Sequence, residues 1–137
     1  MQILLDHQNN EFLNAELMLP KDMKSKSLIV FAHGSGSGRA SPRNQYVAHI
    51  LNLNVFATFL VDLLTAEELE SDLKSQKLLH KYPSLTLNKF NIKLLAIRLE
   101  TVTTWLIENM SEVKSLPIGY FGSSTGAAAA IEAIWRI

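Results

Sequence analysis

A serine flanked by two glycines stands at the centre of the chemistry that this sequence could perform. Ser124 lies in a Gly-x-Ser-x-Gly pattern over residues 122–126, directly after a short apolar stretch and directly before four alanines. A sharp strand-to-helix turn leaves no room for a Cβ two residues before or after the serine, which explains Gly122 and Gly126. Such a turn lifts the hydroxyl clear of the sheet and places it at the positive end of a helix. The pattern predicts a nucleophile elbow with Ser124 as the nucleophile.

A second glycine-rich segment could stabilise the negative charge that forms when a serine attacks an acyl group. Residues 33–38 read His-Gly-Ser-Gly-Ser-Gly and follow another apolar stretch. Glycines let the main chain approach a substrate, and backbone N–H groups are common donors of an oxyanion hole. We expect one donor from Gly34, Ser35 or Gly36, and the other from Thr125, the residue after the nucleophile. The alternative is that these glycines form only a flexible turn.

Several polar residues lie close to these two segments in the sequence and could support the site. We expect His33 to order its loop through a hydrogen bond, and Asp62, at the end of an apolar run, to anchor a loop or contact substrate. Arg39 and Arg43 could receive a substrate carboxylate, with solvation at the surface as the alternative. The other histidines are expected at the surface: His7, His49 and His80. No histidine and carboxylate set has metal-ligand spacing, so we predict neither a metal nor another cofactor.

Composition favours one folded domain and argues against several classes of partner. The 137 residues carry 13 lysines and arginines against 13 aspartates and glutamates, and the cations are scattered, so we expect no nucleic-acid partner. Arg39 stands where a third glycine would complete G-x-G-x-x-G, which argues against nucleotide binding. Without cysteine there is no disulfide or thiolate chemistry. With neither a signal peptide nor a membrane-length apolar run, we predict a cytoplasmic protein with no membrane partner.

The apolar pattern predicts an α/β fold, a three-layer sandwich with a mostly parallel sheet, in one domain over residues 1–137. We expect a hairpin over residues 1–20. The runs 28–32 and 55–61 are apolar on both faces, as in buried parallel strands, and a helix beginning at Pro42 should connect them.

Helical signals fill the middle of the chain. Thr65 and Glu68 have the spacing of a capping box, which begins a helical excursion over residues 65–88. Intervals of four, three and four residues separate Leu95, Leu99, Val102 and Leu106, and this spacing predicts a long helix from about Lys89 to Asn109. The stretch 117–121 is then the next strand, and it leads into the nucleophile elbow.

With both loops placed, the chain resembles the α/β-hydrolase superfamily, and in particular its dienelactone-hydrolase-like branch. The matching stretches are residues 31–44, 61–65 and 117–126, which together are far more specific than the serine pattern alone. The similarity runs over nearly the whole chain but covers only the first half of the family's fold. The resemblance implies a serine hydrolase of esters, lactones or related acyl compounds. In such an enzyme Ser124 is the nucleophile, and Thr125 with the loop from Gly34 to Gly36 forms the oxyanion hole.

The same resemblance implies that the acid and the histidine of the catalytic triad come from later strands, which have no counterpart here. We therefore expect a truncated chain that is inactive or very weak alone, because a serine without a base is a poor nucleophile. The strand 117–121 should become an exposed edge, through which the chain could self-associate. The alternative to a hydrolase is a catalytically inactive remnant or a partner-binding module.

Overall fold

A five-stranded sheet organises the molecule. The structure is a computed structural model that describes residues 1–21 and 24–136. The strands are β1 (Gln2–Asp6), β2 (Glu11–Met18), β3 (Leu28–Ala32), β4 (Ala57–Val61) and β5 (Ile118–Gly122), in the spatial order β1-β2-β4-β3-β5. β3 pairs in parallel with β4 and β5, whereas β2 runs antiparallel to β1 and β4. Only β2 therefore opposes the others, and the predicted mostly parallel α/β sheet is confirmed.

Helices cover both faces of the sheet. They are α1 (Pro42–Leu53), α2 (Ala66–Gln76), α3 (Ile92–Asn109) and α4 (Thr125–Arg136), with a short 3-10 helix at Asn88–Phe90. α1 packs on one face, and α3 with α4 packs on the other, which makes the three predicted layers. Within the described ranges, no helix has the length and apolar character needed to cross a membrane.

Two hydrophobic cores arise because the central strands alternate their side chains between the faces. Val30 of β3 and Phe59 of β4 belong to the core under α3 and α4. Phe31 and Leu60, the next residues along, point to the other face and pack with Ala48 of α1. All of these side chains are buried. Both strands are covered on both faces, as continuous apolar sequence predicts for parallel strands between helices.

Local sequence signals set the starts of two helices. The hydroxyl of Ser41 accepts the Asn44 amide at 3.4 Å, and Pro42 follows as the first residue of α1. At the start of α2, Thr65 Oγ1 accepts the Glu68 amide at 3.1 Å, while the Glu68 carboxylate accepts the Thr65 amide at 2.8 Å. The predicted capping box is therefore present.

Three element boundaries differ clearly from the prediction, and β5 is shifted by one residue from the expected 117–121. The strand expected over 55–61 begins at Ala57, because Val55 has a φ of 72° in the turn that leaves α1. The excursion expected over 65–88 is helical only to Gln76, and turns follow. The helix expected from about Lys89 begins at Ile92, where the side chain of Asn91 accepts the Leu94 amide at 3.1 Å as an N-cap.

Candidate active site

Ser123 and Ser124 form the corner between β5 and α4, and Ser124 is its second residue. Its φ is 53°, in the left-handed region that residues other than glycine rarely adopt. The Ser123 amide donates to the carbonyl of Ala32 at 3.2 Å, and the Ala127 amide donates to the carbonyl of Ser124 at 3.0 Å. Contacts on both sides thus hold the corner against a backbone strain of about 1–3 kcal/mol. The side chain of Ser124 is exposed at the edge of the sheet.

The two flanking glycines are required because backbones touch there. A methyl group on Gly126 would lie 2.0 Å from the carbonyl oxygen of Ala32. A methyl group on Gly122 would lie 2.7 Å from the Cα of Ala127. The first turn of α4 therefore rests directly on the end of β3 and on the last residue of β5. The exposed side chains of Ser123 and Ser124 lie between these two contacts.

The glycine-rich loop reaches the same corner from β3. A methyl group on Gly34 would lie 3.3 Å from the Cβ of Ser124, so the loop backbone and the serine are in contact. The loop turns sharply: the Ser37 amide donates to the carbonyl of Gly34 at 3.2 Å, and Gly36 has a φ of 77°. That φ suits the third position of a type II turn, where glycine is favoured.

Backbone N–H groups without a backbone acceptor occur in the glycine-rich loop and at the start of α4. Within residues 1–21 and 24–136, the amides of Gly34, Ser35, Gly36 and Thr125 donate to no backbone acceptor. Thr125 is the first residue of α4, and the first amides of a helix have no partner inside the helix. These donors, with the positive end of the α4 dipole, could stabilise negative charge that develops beside Ser124.

His33 is buried and uses both of its ring nitrogens. The Leu63 amide donates to Nε2 at 2.9 Å, which makes that nitrogen the acceptor. Nδ1 therefore carries the proton and donates to the carbonyl of Gly34 at 2.9 Å. These bonds tie the glycine-rich loop to the segment after β4. His33 could accept a proton from Ser124 only by giving up its bond to Leu63.

Asp62 holds the far end of the same loop. Its carboxylate accepts the Arg39 amide at 2.6 Å and forms an ion pair with the Arg39 guanidinium. A methyl group on Gly38 would lie 2.9 Å from this carboxylate, so the Asp62 side chain would have to shift to accept an alanine there. The carboxylate that binds Arg39 is thus that of Asp62 and not that of a substrate. Arg43 is exposed at the start of α1.

The remaining histidines lie on the surface, away from the corner. They are His7 in the turn between β1 and β2, His49 on α1, and His80 in the turns after α2, and each is exposed. In the described part of the chain, no side chain makes a hydrogen bond to the hydroxyl of Ser124.

A cavity of about 260 Å³ opens beside the glycine-rich loop. Its lining includes Thr125, the residue after the nucleophile candidate, and its apolar wall consists of Leu64, Leu69, Leu73 and Leu95. From the sequence, Leu69, Leu73 and Leu95 are expected on helix faces and Leu64 in the stretch 61–65, with no cavity predicted between them. The signal that sequence reasoning missed was a pair of leucines four residues apart, Leu69 and Leu73, in a helix that is otherwise mostly charged.

An ion pair fixes α2 beside this cavity. The guanidinium of Arg98 donates to the two carboxylate oxygens of Glu68 at 2.7 and 2.9 Å. Burial acts to raise the pKa of Glu68, but the hydrogen bonds from Arg98 and Thr65 together outweigh it, so this pKa lies below its ordinary value. The carboxylate is therefore charged at neutral pH and holds α2 to α3.

Several solved structures share this overall fold. The dienelactone hydrolase of Anabaena variabilis matches with a TM-score of 0.79 and 38% identity, over 97% of this chain and 54% of that protein. The chain has the α/β-hydrolase fold. Its resemblance to the dienelactone-hydrolase-like branch, read from the sequence, is confirmed.

Two esterases share the fold at lower identity. Est1E from Butyrivibrio proteoclasticus has a TM-score of 0.70 and 19% identity, over 99% of this chain and 45% of that one. The Pyrococcus furiosus esterase Pf2001 has a TM-score of 0.68 and 18% identity, over 100% of this chain and 46% of that one. The known structures that carry this α/β-hydrolase arrangement thus include hydrolases of ester bonds.

Sequence comparison adds a relative with a different name. A Mycobacterium tuberculosis protein, found in two strains and named "Putative phosphoribosyl transferase", is 48% identical over 110 residues, which are 80% of this chain and 21% of that protein. No protein-family model matches the chain. The chain therefore spans about a fifth of these relatives and about half of the Anabaena dienelactone hydrolase.

Proposed function

We propose that Ser124 is the nucleophile of a serine hydrolase of the dienelactone-hydrolase type, which acts on esters, lactones or related acyl compounds. The observation that carries this proposal is the left-handed backbone of Ser124 at the start of α4, in contact with a loop whose amides are unbonded. The match to a dienelactone hydrolase and two esterases supports the same chemistry.

The reaction follows from these positions. The hydroxyl oxygen of Ser124 attacks the carbonyl carbon of the substrate, and the carbonyl oxygen gains a negative charge. The amides of Thr125 and of the Gly34–Gly36 loop donate to that oxygen, and the dipole of α4 favours the charge. The acyl–oxygen bond to the leaving group then breaks, and water hydrolyses the acyl-serine to release the acid.

The proton of Ser124 needs an acceptor. Both ring nitrogens of His33 are engaged, and the other histidines lie on the surface. We propose that the triad acid and histidine come from outside these 137 residues, as the match to about half of a dienelactone hydrolase suggests. For this chain alone we expect only the acceleration of about 10³ to 10⁴ over water that an oxyanion hole and substrate binding supply.

Acylation by an activated ester tests the proposal. The chain is incubated with p-nitrophenyl acetate, release of nitrophenolate is followed, and the acetylated residue is located by mass spectrometry. We expect acetylation of Ser124, its loss in Ser124→Ala, and its retention in Ser123→Ala, a control that removes the neighbouring exposed hydroxyl. Equal nitrophenolate release from the Ser124→Ala variant, or no acetylation of the unchanged chain, would contradict the assignment.

The name of the M. tuberculosis relative favours a second candidate, binding of a phosphoribosyl group. We propose acyl chemistry ahead of it because Arg39, the cation that directly follows the glycine-rich segment, is paired with Asp62, and because the cavity wall is made of leucines. A ligand that binds the folded state raises the melting temperature. A rise with phosphoribosyl diphosphate, unchanged in Ser124→Ala, would favour the second candidate. No acylation and no such rise would leave the partner-binding alternative.

A further inference from the structure

The helix beside the cavity leaves its leucines uncovered. Within α2 the buried residue is Asp72, whereas Leu69 and Leu73 are 45% and 64% exposed. The two leucines are four residues apart and share one face of the helix, and both line the cavity. A helix of this length is marginal in water unless tertiary contacts stabilise it. Because α2 buries so little apolar surface, polar contacts must supply that stabilisation.

Those polar contacts lie in the first turn and near the middle of α2. Beyond the capping box, Glu68 is held by the two terminal nitrogens of the Arg98 guanidinium from α3. In the second half of the helix, the carboxylate of Asp72 accepts the amides of Asn88 and Lys89 at 2.7 and 3.0 Å. These bonds set the position of α2 against two separate segments. The leucine face is therefore a fixed wall, and its exposure does not result from a loose helix.

The space behind this wall is small and apolar. Leu64 and Leu95 form the inner side and are almost fully buried. The charged groups of the lining are already engaged, because Asp72 accepts two amides and the amine of Lys89 lies 3.3 Å from the side-chain oxygen of Gln76. A volume of about 260 Å³ is below the range of about 300–1,000 Å³ that is usual for drug-sized ligands. The cavity fits one short apolar group.

We propose that Leu69 and Leu73 form the wall that binds the acyl group of the substrate and limits its length, and that this group is short, uncharged and apolar. The inference rests on the proposed function, since the cavity lining includes Thr125, the residue next to the serine that would attack the acyl carbon. Each methylene group that enters the cavity contributes about 0.8 kcal/mol, which is about a fourfold gain in affinity. The gain should stop at the chain length that fills the cavity.

Binding of straight-chain aliphatic amides tests this inference without requiring catalysis. Amides from propionamide upward, which keep the carbonyl but resist hydrolysis, are titrated into the ¹⁵N-labelled Ser124→Ala chain and followed by NMR. We expect the Kd to fall about fourfold per methylene and then level off. Leu73→Trp should weaken binding of the longest amide that fits at least tenfold and leave propionamide nearly unchanged. Leu53→Trp, on the exposed face of α1, is the matched control, and both variants should keep the wild-type NMR dispersion.

Three outcomes would overturn the inference. They are a Kd independent of chain length, equal effects of Leu73→Trp and Leu53→Trp, and tighter binding of amides with a terminal carboxylate that depends on Lys89. The acetylation experiment separates this inference from the proposed function. Chain-length dependence without acylation of Ser124 would keep an apolar-ligand wall and refute the hydrolase, whereas acylation without chain-length dependence would refute the wall alone.

Discussion

Replacing Gly126 by alanine should push α4 away from the end of β3. The added methyl group would lie 2.0 Å from the carbonyl oxygen of Ala32 and 2.5 Å from that of His33. Cβ atoms in proteins essentially never approach other atoms closer than 3.0 Å, so the gap must widen by about 1 Å. Both obstructing atoms belong to the backbone and cannot rotate aside. The start of the helix, and with it the corner at Ser124, must move.

Two effects of this substitution oppose each other. Alanine is a better helix former than glycine by about 1 kcal/mol. Against this, overpacking costs typically about 1–3 kcal/mol, and more when backbone has to shift. A retreat of α4 also loosens Ala129 and Ala133, which are completely buried against the sheet. We expect a net loss of about 2 kcal/mol or more, from a total stability that for such domains is about 5–15 kcal/mol.

Urea denaturation followed by far-UV circular dichroism measures this loss, provided that the slope m stays constant. Gly119→Ala is the matched control in β5, because its methyl group would meet only the terminal carbon of Ile29 at an ordinary 3.4 Å. A methyl group on Gly122 would lie 2.7 Å from the Cα of Ala127, so the stability loss in Gly122→Ala should lie between those of Gly119→Ala and Gly126→Ala. Gly119→Ala itself should be neutral or stabilise by up to about 1 kcal/mol, since glycine inside a strand is unfavourable.

The order of stability of the three variants tests whether α4 rests on the end of β3. Two results would show that α4 does not rest on β3 as described. One is a free energy of unfolding of Gly126→Ala within about 0.5 kcal/mol of that of the unchanged chain, which is well below the expected loss. The other is a greater loss of stability in Gly119→Ala than in Gly122→Ala. The explanation of the corner by backbone contact would then be wrong. If Gly126→Ala does not fold, the comparison of Gly122→Ala with Gly119→Ala still tests the same contact.

Three further predictions concern titration and association. The pKa of Glu68 is lower in the folded chain than in the unfolded chain. The stability that Glu68 contributes is therefore present above the unfolded pKa and is lost as the pH falls through the folded pKa. We expect Glu68→Gln to flatten the acid side of a plot of the urea midpoint against pH. Burial raises the pKa of Tyr120, so the stability that this residue contributes is lost as the pH rises through the folded pKa. We expect Tyr120→Phe to remove the last phase of the phenolate absorbance titration. The same variant should flatten the alkaline side of the plot of the urea midpoint against pH. Self-association along the edge formed by β5 and α4 should weaken in Trp135→Lys, in which a side chain that is 87% exposed gains a charge, but not in Leu53→Lys, as sedimentation velocity would measure.

A specific result would contradict each of the three expected outcomes. An unchanged acid limb in Glu68→Gln would mean that the ion pair with Arg98 contributes nothing to the pH dependence. A late phenolate phase that persists in Tyr120→Phe would assign it to another tyrosine. A chain that sediments as a monomer at every concentration, or equal effects of the two lysine variants, would rule out self-association at that edge.

The sequence by itself determined the features that depend on neighbours a few residues away. Ser41 with Pro42 marked the start of α1, and the spacing of Thr65 and Glu68 marked the start of α2, because an N-cap bonds within its own first turn. The spacing of glycines around Ser124 located the corner for a similar reason. The run 28–32, apolar on both faces, was sufficient to identify a central strand.

Only the tertiary structure decided where the elements end and which surfaces they present. Val55 leaves the expected strand because the chain must turn between α1 and β4, and nothing in a valine predicts its φ of 72°. The bonds of Asp62 to Arg39 and of Glu68 to Arg98 join residues that lie 23 and 30 positions apart. Leucines on a helix face predict burial, but α2 is held by polar contacts to distant segments, so its leucines face a cavity. The physical reason is range: caps and turns act within one turn of chain, whereas a cavity exists only after separate segments have packed.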